Sequence, residues 1–119
     1  SQGRIRATRD AAEATGCLMV LKGSGTIVAG PKGAAYIDPI AAHELSTAGT
    51  GDVLSGLIGG FLAHRAVGSS STESARCVAA AVYTHGLAAR MAGAGQAPVV
   101  ATDVVDHIGK AVAALRQPI

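Results

Sequence analysis

The chain has 119 residues, of which 49% are hydrophobic and 15% charged, and a formal net charge of +2. That balance describes one globular domain with a real apolar core, and excludes a disordered tail or an acidic linker. Only three aromatic residues, Tyr36, Phe61 and Tyr83, accompany scattered basic ones, so the stacking platform and basic face of a nucleic-acid binder are missing.

Ala and Val supply most of the apolar content, and no run reaches the roughly 18 residues of a membrane span. The polar, Arg-bearing start has no apolar stretch behind it to serve as a signal-peptide core, so the expected place of work is the cytoplasm, away from membranes. Cys17 and Cys77 are isolated thiols in segments that read as strand and helix, the pattern of buried, reduced cysteine.

In chain order, the Ala-rich stretch from Arg6 to Thr15 predicts an amphipathic helix ended by Gly16. The continuous apolar run Cys17-Leu-Met-Val-Leu21 predicts a strand buried on both faces of an α/β sheet. Thr26 to Ala29 and Ala34 to Ile37, joined by Gly30-Pro-Lys-Gly33, predict a hairpin. An irregular stretch follows to Thr50. A helix is then expected from about Asp52, with Leu54, Leu57, Ile58, Phe61 and Leu62 at spacings of three and four. Gly56 and Gly60 on it suggest close approach of another backbone. Ser70-Ser-Thr-Glu73 has capping-box spacing ahead of a stripe at Ala75, Val78, Ala79, Val82, Tyr83 and Leu87. Thr102 is the expected cap of a last helix striped by Val104, Val105, Ile108, Val112 and Leu115. One buried strand, one hairpin and three following helices leave too little sheet for the helices to cover. The chain therefore reads as an incomplete α/β domain.

Two segments carry chemistry. In Ala48-Gly-Thr-Gly-Asp-Val-Leu-Ser-Gly56, glycines at 49 and 51 admit a tight turn and close approach of backbone N–H groups. The helix that follows aims its positive end at the same spot, which makes an anion site. A carboxylate at Asp52 repels phosphate unless it has a task, such as taking a proton from a hydroxyl held beside a phosphoryl group. The plain alternative is a Gly-rich helix start with Asp in the first turn for capping. In Lys22-Gly-Ser-Gly-Thr26, a Gly-rich turn ends a strand where crevices open in α/β sheets. There Lys22 can neutralise phosphate and Thr26 can offer a hydroxyl and an N–H; a solvated Lys in a turn is the plain alternative. Neither segment is a P-loop or a Rossmann fingerprint. His43, His64, His85 and His107 have no metal-ligand spacing among themselves or with the cysteines. His85, set among apolar residues, reads as a satisfied core histidine.

Taken in series, Leu21-Lys-Gly-Ser-Gly-Thr-Ile-Val-Ala-Gly-Pro31, Leu45-Ser-Thr-Ala-Gly-Thr-Gly-Asp-Val-Leu-Ser-Gly56 and Tyr83-Thr-His-Gly-Leu-Ala-Ala89 resemble the ADP-dependent NAD(P)H-hydrate dehydratases of the ribokinase-like superfamily. The resemblance implies that residues 1–119 are the C-terminal part of a single nucleotide-binding catalytic domain with a three-layer α/β fold. The implied reaction dehydrates the S epimer of hydrated NADH or NADPH while ADP becomes AMP and phosphate. By position, Lys22, Gly23, Ser24, Gly25, Thr26 and Gly51 would contact the AMP portion. Gly49, Thr50 and Gly51 would form the anion hole, and Asp52 would bind the hydrate and act as base. Magnesium on the phosphates, a homo-oligomer and an epimerase domain fused upstream are further implications, with no metal site built from protein side chains. Pro39-Ile-Ala-Ala-His-Glu44 stands where the family has an Asn-rich, Gly-bearing stretch, and Ala48 where it usually has glycine. A ribokinase-like small-molecule kinase and a non-catalytic nucleotide-binding fragment are the competing readings.

Overall fold

The computed structural model describes residues 2–40, 42–46, 48–64, 68, 70–94 and 98–116. Helix α1 (Gln2–Thr15) buries Thr8 and Ala12 and stops at Gly16, whose φ of 68° suits the left-handed end of a helix. It begins four residues before the expected start, because only Gly3 in that stretch disfavours helix.

Three short strands follow, β1 (Met19–Leu21), β2 (Ile27–Ala29) and β3 (Ala35–Ile37), in the order β1-β2-β3. Both pairings are antiparallel, with Val20 opposite Val28 and Val28 opposite Tyr36. The expected hairpin is β2–β3, but the strand buried throughout is β2 and not the apolar run before it. Among the described residues β1 has one neighbour, so it is only partly buried and Leu21 is exposed. Position in the sheet, more than hydrophobicity, sets burial here. Cys17 precedes β1 and is exposed, against expectation; Cys77 is partly buried, and both are free thiols.

Residues His43–Ser46 form a 3₁₀ turn, and helices α2 (Thr50–Ala63), α3 (Ser71–Gly93) and α4 (Ala101–Arg116) complete the order. The α/β class and the sequence of elements are those expected. Helix α3 has the full capping box: the Glu73 N–H donates to Ser70 Oγ at 3.1 Å, and the Ser70 N–H donates to Glu73 Oε1 at 3.5 Å. Thr102 does not cap α4. That helix begins one residue earlier, and the Asp103 carboxylate accepts the Val100 N–H at 2.8 Å instead.

Helix α3 links two apolar cores. Its first half packs Val78 and Val82 against Val28 and Leu54, and its second half packs Ala88 and Ala89 against Val104 and Ala111 of α4. Fully buried alanines let the helices lie close, so shape fit matters as much as apolar area. Val105 and Leu115 fall outside that contact and are about half exposed, so the expected stripe on α4 is narrower. No helix among the described residues is long and apolar enough to cross a membrane.

The close approach expected at Gly56 and Gly60 occurs elsewhere. A Cβ at either would meet nothing within 4 Å, whereas a Cβ at Gly86 would meet Ile40 Cγ2 at 3.2 Å and Asp38 Oδ2 at 3.5 Å. Gly86 therefore lets the segment after β3 close onto α3. Gly56→Ala is expected to stabilise the protein by up to about 1 kcal/mol through helix propensity. Gly86→Ala should cost about 1–3 kcal/mol by overpacking. Urea unfolding of the two variants checks the opposite signs.

Candidate functional site

The loop between β1 and β2 starts the site. Gly23 has φ +145° and Gly25 φ +71°, and the Thr26 hydroxyl donates to the Gly23 carbonyl at 3.1 Å. These left-handed glycines fold five residues into a tight crossing between two strands only a few residues long. The β2–β3 register then places Asp38 beside this loop, with the Asp38 N–H donating to the Thr26 carbonyl at 2.8 Å.

The second wall is the start of α2. Gly49 holds φ 89° at the N-cap, and a methyl there would come 3.2 Å from Ala101 Cβ. The Asp52 and Val53 N–H groups both turn back to the Gly49 carbonyl, at 3.2 and 3.3 Å. The turn is held from two sides. The Thr50 hydroxyl donates to the Leu45 carbonyl at 2.6 Å, and Nε2 of buried His85 lies 3.0 Å from the Thr50 carbonyl oxygen. A carbonyl only accepts, so Nε2 carries the proton and His85 is a donor there. This is the satisfied core histidine expected from the sequence, with the added result that it grips the Gly-rich turn.

Between these walls lies a cavity of about 390 Å³. Lys22, Gly23, Ser24 and Thr26 line it from the loop, Gly51 and Leu54 from α2, and Val82 and His85 from α3. Asp38, Ile40, Ala42 and Leu45 complete it from the segment after β3. Lys22 reaches across: a Cβ at Gly51 would stand 2.6 Å from its Nζ, so the ammonium lies over the first turn of α2. The two expected segments are thus brought to one place. Gly25, Gly49 and Thr50 belong to its turns without lining the cavity, and Asp52 lies in the same first turn with its side chain exposed.

Asp38, Ile40 and Leu45 are lining residues that the sequence reading left in an irregular stretch. The Asp38-Pro39 pair is a turn signal that marks the spot, since the Asp38 carboxylate accepts the Ile40 N–H at 3.2 Å. Burial pushes the Asp38 carboxyl above its ordinary value, and that hydrogen bond only partly opposes it. Burial also lowers His85; the bond to Thr50 opposes this, while the charge of Lys22 adds to it. A neutral imidazole and a cation therefore share the cavity wall.

A profile of the NAD(P)H-hydrate dehydratase family matches residues 1–110. The bifunctional NAD(P)H-hydrate repair enzyme Nnr of Mycobacterium leprae is 39% identical over 116 residues, covering 94% of this chain and 23% of that protein. Nnr of Salinibacter ruber is 41% identical over 112 residues, covering 92% of this chain and 20% of that one. The crystal structure of the ADP/ATP-dependent NAD(P)H-hydrate dehydratase from Bacillus subtilis, co-crystallised with ATP/Mg2+, matches with a TM-score of 0.84 at 26% identity. That match covers 97% of this chain and 40% of the neighbour. The chain thus spans about a fifth of the length of these curated relatives.

The lowered His85 pKa has a consequence for stability. The folded protein keeps the imidazole neutral where the unfolded chain takes up a proton, so this contribution is whole above the ordinary His value and shrinks as pH falls through it. Asp38 acts in the opposite sense: its raised pKa favours the folded state at acid pH and loses that effect as pH rises through the folded value. The wild-type Tm should therefore contain a His85-dependent fall between about pH 7.5 and about pH 5, which His85→Gln removes while keeping a donor. Thermal melts of both proteins across that range check this; parallel Tm profiles would refute it.

Proposed function

Because the chain belongs to the NAD(P)H-hydrate dehydratase family, we propose that residues 1–119 form the C-terminal, nucleotide-binding part of a single catalytic domain. The protein carrying them dehydrates the S epimer of hydrated NADH or NADPH, with ADP as co-substrate and AMP and phosphate as products. The observation that carries this reading is the placement of Lys22 Nζ over the first turn of α2, beside Gly51. An ammonium beside the positive end of a helix is repelled by it, and an anion that touches both relieves that repulsion. A diphosphate supplies that anion, and the Gly-rich loop 22–26 lets its backbone approach closely.

The geometry divides the work. The cavity takes the nucleotide, with Lys22 on its phosphates and Thr26 and Ser24 offering polar groups to the AMP portion. Asp52 stands outside the cavity on the exposed side of the same turn, open to a second molecule. There its carboxylate takes the proton of the substrate hydroxyl. The hydroxyl oxygen then bonds to the terminal phosphorus of ADP as the bond from that phosphorus to the bridging oxygen breaks and AMP departs. The turn from Gly49 to Gly51, backed by the helix dipole, stabilises the charge that develops on the phosphoryl oxygens. The electron pair of the ring nitrogen then expels phosphate, and loss of a ring proton completes the dihydronicotinamide.

The neighbour with ATP/Mg2+ supports a magnesium nucleotide here. Among the described residues no group of three or more His, Cys, Asp or Glu side chains is arranged to hold an ion. Magnesium is commonly held by substrate phosphates, water and one or two carboxylates. Held on the nucleotide, the ion would neutralise phosphate charge. The relatives' description as bifunctional, and their length, support an epimerase domain on the same polypeptide.

The test uses the whole protein that contains this chain, given hydrated NADPH and ADP. Recovery of NADPH absorbance that depends on ADP, with no phosphorylation of sugars or hydroxymethylpyrimidine, is expected; sugar phosphorylation without NADPH recovery would instead establish the kinase alternative. Asp52→Asn should lower turnover by about 10²–10⁴-fold, the usual weight of a general base. ADP affinity should stay within about twofold, as Asp52 is not asked to hold the nucleotide. Unchanged turnover in that variant would take Asp52 out of the chemistry and leave this part of the protein a nucleotide-binding module.

A further inference from the structure

Resting on the nucleotide reading above, we infer that Arg4 of α1 is a positioning residue for the nucleotide-binding loop. Arg4 is absent from the cavity wall, yet its Nη1 donates to the Ser24 carbonyl at 3.0 Å across 20 residues of sequence. The same guanidinium lies against Gly23, where a Cβ would meet Nη2 at 3.0 Å. Gly23 thus has two reasons to be glycine: its φ of +145° and the arginine packed over it.

The loop needs such a hold. Two of its five residues are glycines, so it has much backbone freedom to lose when a ligand orders it. Inside the loop, the bond from the Thr26 hydroxyl to the Gly23 carbonyl fixes one end. The bond from Arg4 fixes the Ser24 carbonyl from a different element, and a planar fork with several donors does this better than a flexible ammonium. A loop held in its binding shape beforehand spares the nucleotide the work of ordering it, and the gain appears in affinity.

Helix α1 also carries its own control. Arg9 makes the same kind of bond at the other end of β2, from Nη2 to the Gly33 carbonyl at 3.1 Å, in the turn between β2 and β3. Both bonds tie α1 to the sheet, but only Arg4 reaches the loop that lines the cavity. If arginines on α1 merely stabilise the fold, Arg4 and Arg9 should be interchangeable in their effects. If Arg4 positions the loop, only its loss should weaken nucleotide binding.

Titration calorimetry of MgADP into the whole protein, wild type, Arg4→Met, Arg9→Met and Arg4→Lys, decides between these. Arg4→Met should raise the ADP Kd by about five- to tenfold, the range for one lost hydrogen bond of this kind. Arg9→Met should stay within about twofold of wild type even where its Tm falls as far, and Arg4→Lys should lie between. In turnover, Arg4→Met should raise KM for ADP with kcat and the KM for the hydrate unchanged, the signature of lost nucleotide binding alone. Should Arg4→Met fail to fold, Arg4→Lys is held to the same criterion, an ADP Kd above that of Arg9→Met. An ADP Kd in the folded Arg4 variant no higher than in Arg9→Met overturns the inference and leaves the nucleotide reading standing. Wild-type protein that does not bind MgADP overturns both.

Discussion

Two positive poles held face to face govern this structure. Lys22 brings its ammonium over the first turn of α2, where the helix dipole already concentrates positive charge. The backbone that carries each pole is held. The loop bearing Lys22 is fixed by two left-handed glycines and by the strands on either side, and the turn bearing Gly51 is fixed by Gly49 at φ 89° and by two hydrogen bonds at Thr50. The fold thus brings the two positive groups together, and an anion touching both would relieve their repulsion. Preorganised charge of this kind is worth more than charge assembled on binding, since no reorganisation follows when the ligand arrives.

Helix α3 is the frame that keeps the poles in register. Its first half packs on the sheet and α2 through Val78 and Val82, and its second half packs on α4 through Ala88 and Ala89. His85 and Gly86 sit between the two contacts, where they meet the site. His85 hydrogen-bonds the Thr50 carbonyl, and Gly86 makes room for Ile40 and Asp38. Two adjacent positions on one buried helix thus set both the Gly-rich turn and the segment after β3. Tyr83-Thr-His-Gly-Leu-Ala-Ala89 is consequently a structural motif of the site, although neither His85 nor Gly86 is required to perform chemistry.

Much of this was legible in the sequence, and the limits have physical causes. Local rules read the capping box at Ser70 and Glu73, the β2–β3 hairpin and a helix from about Asp52, which begins two residues earlier at Thr50, because each depends on a few neighbouring residues. The two glycine-bearing segments were legible as tight turns for the same reason. What escaped was set by long-range packing. The apolar run before Lys22 promised a strand buried on both faces, yet burial belongs to β2, the central strand of three. Gly56 and Gly60 promised a close contact that occurs at Gly86, since periodicity cannot say which glycine faces a neighbour. Asp38 reaches the cavity by strand register, and Arg4 touches the loop from a helix 20 residues away. Neither relation leaves a mark in local spacing.

The neutrality of His85 also bears on how the site responds to its ligand. Its bond to Thr50 uses the Nε2 proton, which is present in both the neutral and the cationic ring, so protonation need not break the bond. What protonation adds is a buried positive charge near Lys22, and desolvation and the charge of Lys22 both resist it. A phosphate group drawn in by Lys22 acts on both groups at once, because one anion offsets the charge of the ammonium and the cost of charging the imidazole. An anion bound at Lys22 would be linked to the protonation of His85 with a definite sign: the anion would ease protonation, and protonation would favour the anion. The link would act through charge, because the bond from Nε2 to the Thr50 carbonyl is available to the ring in either state.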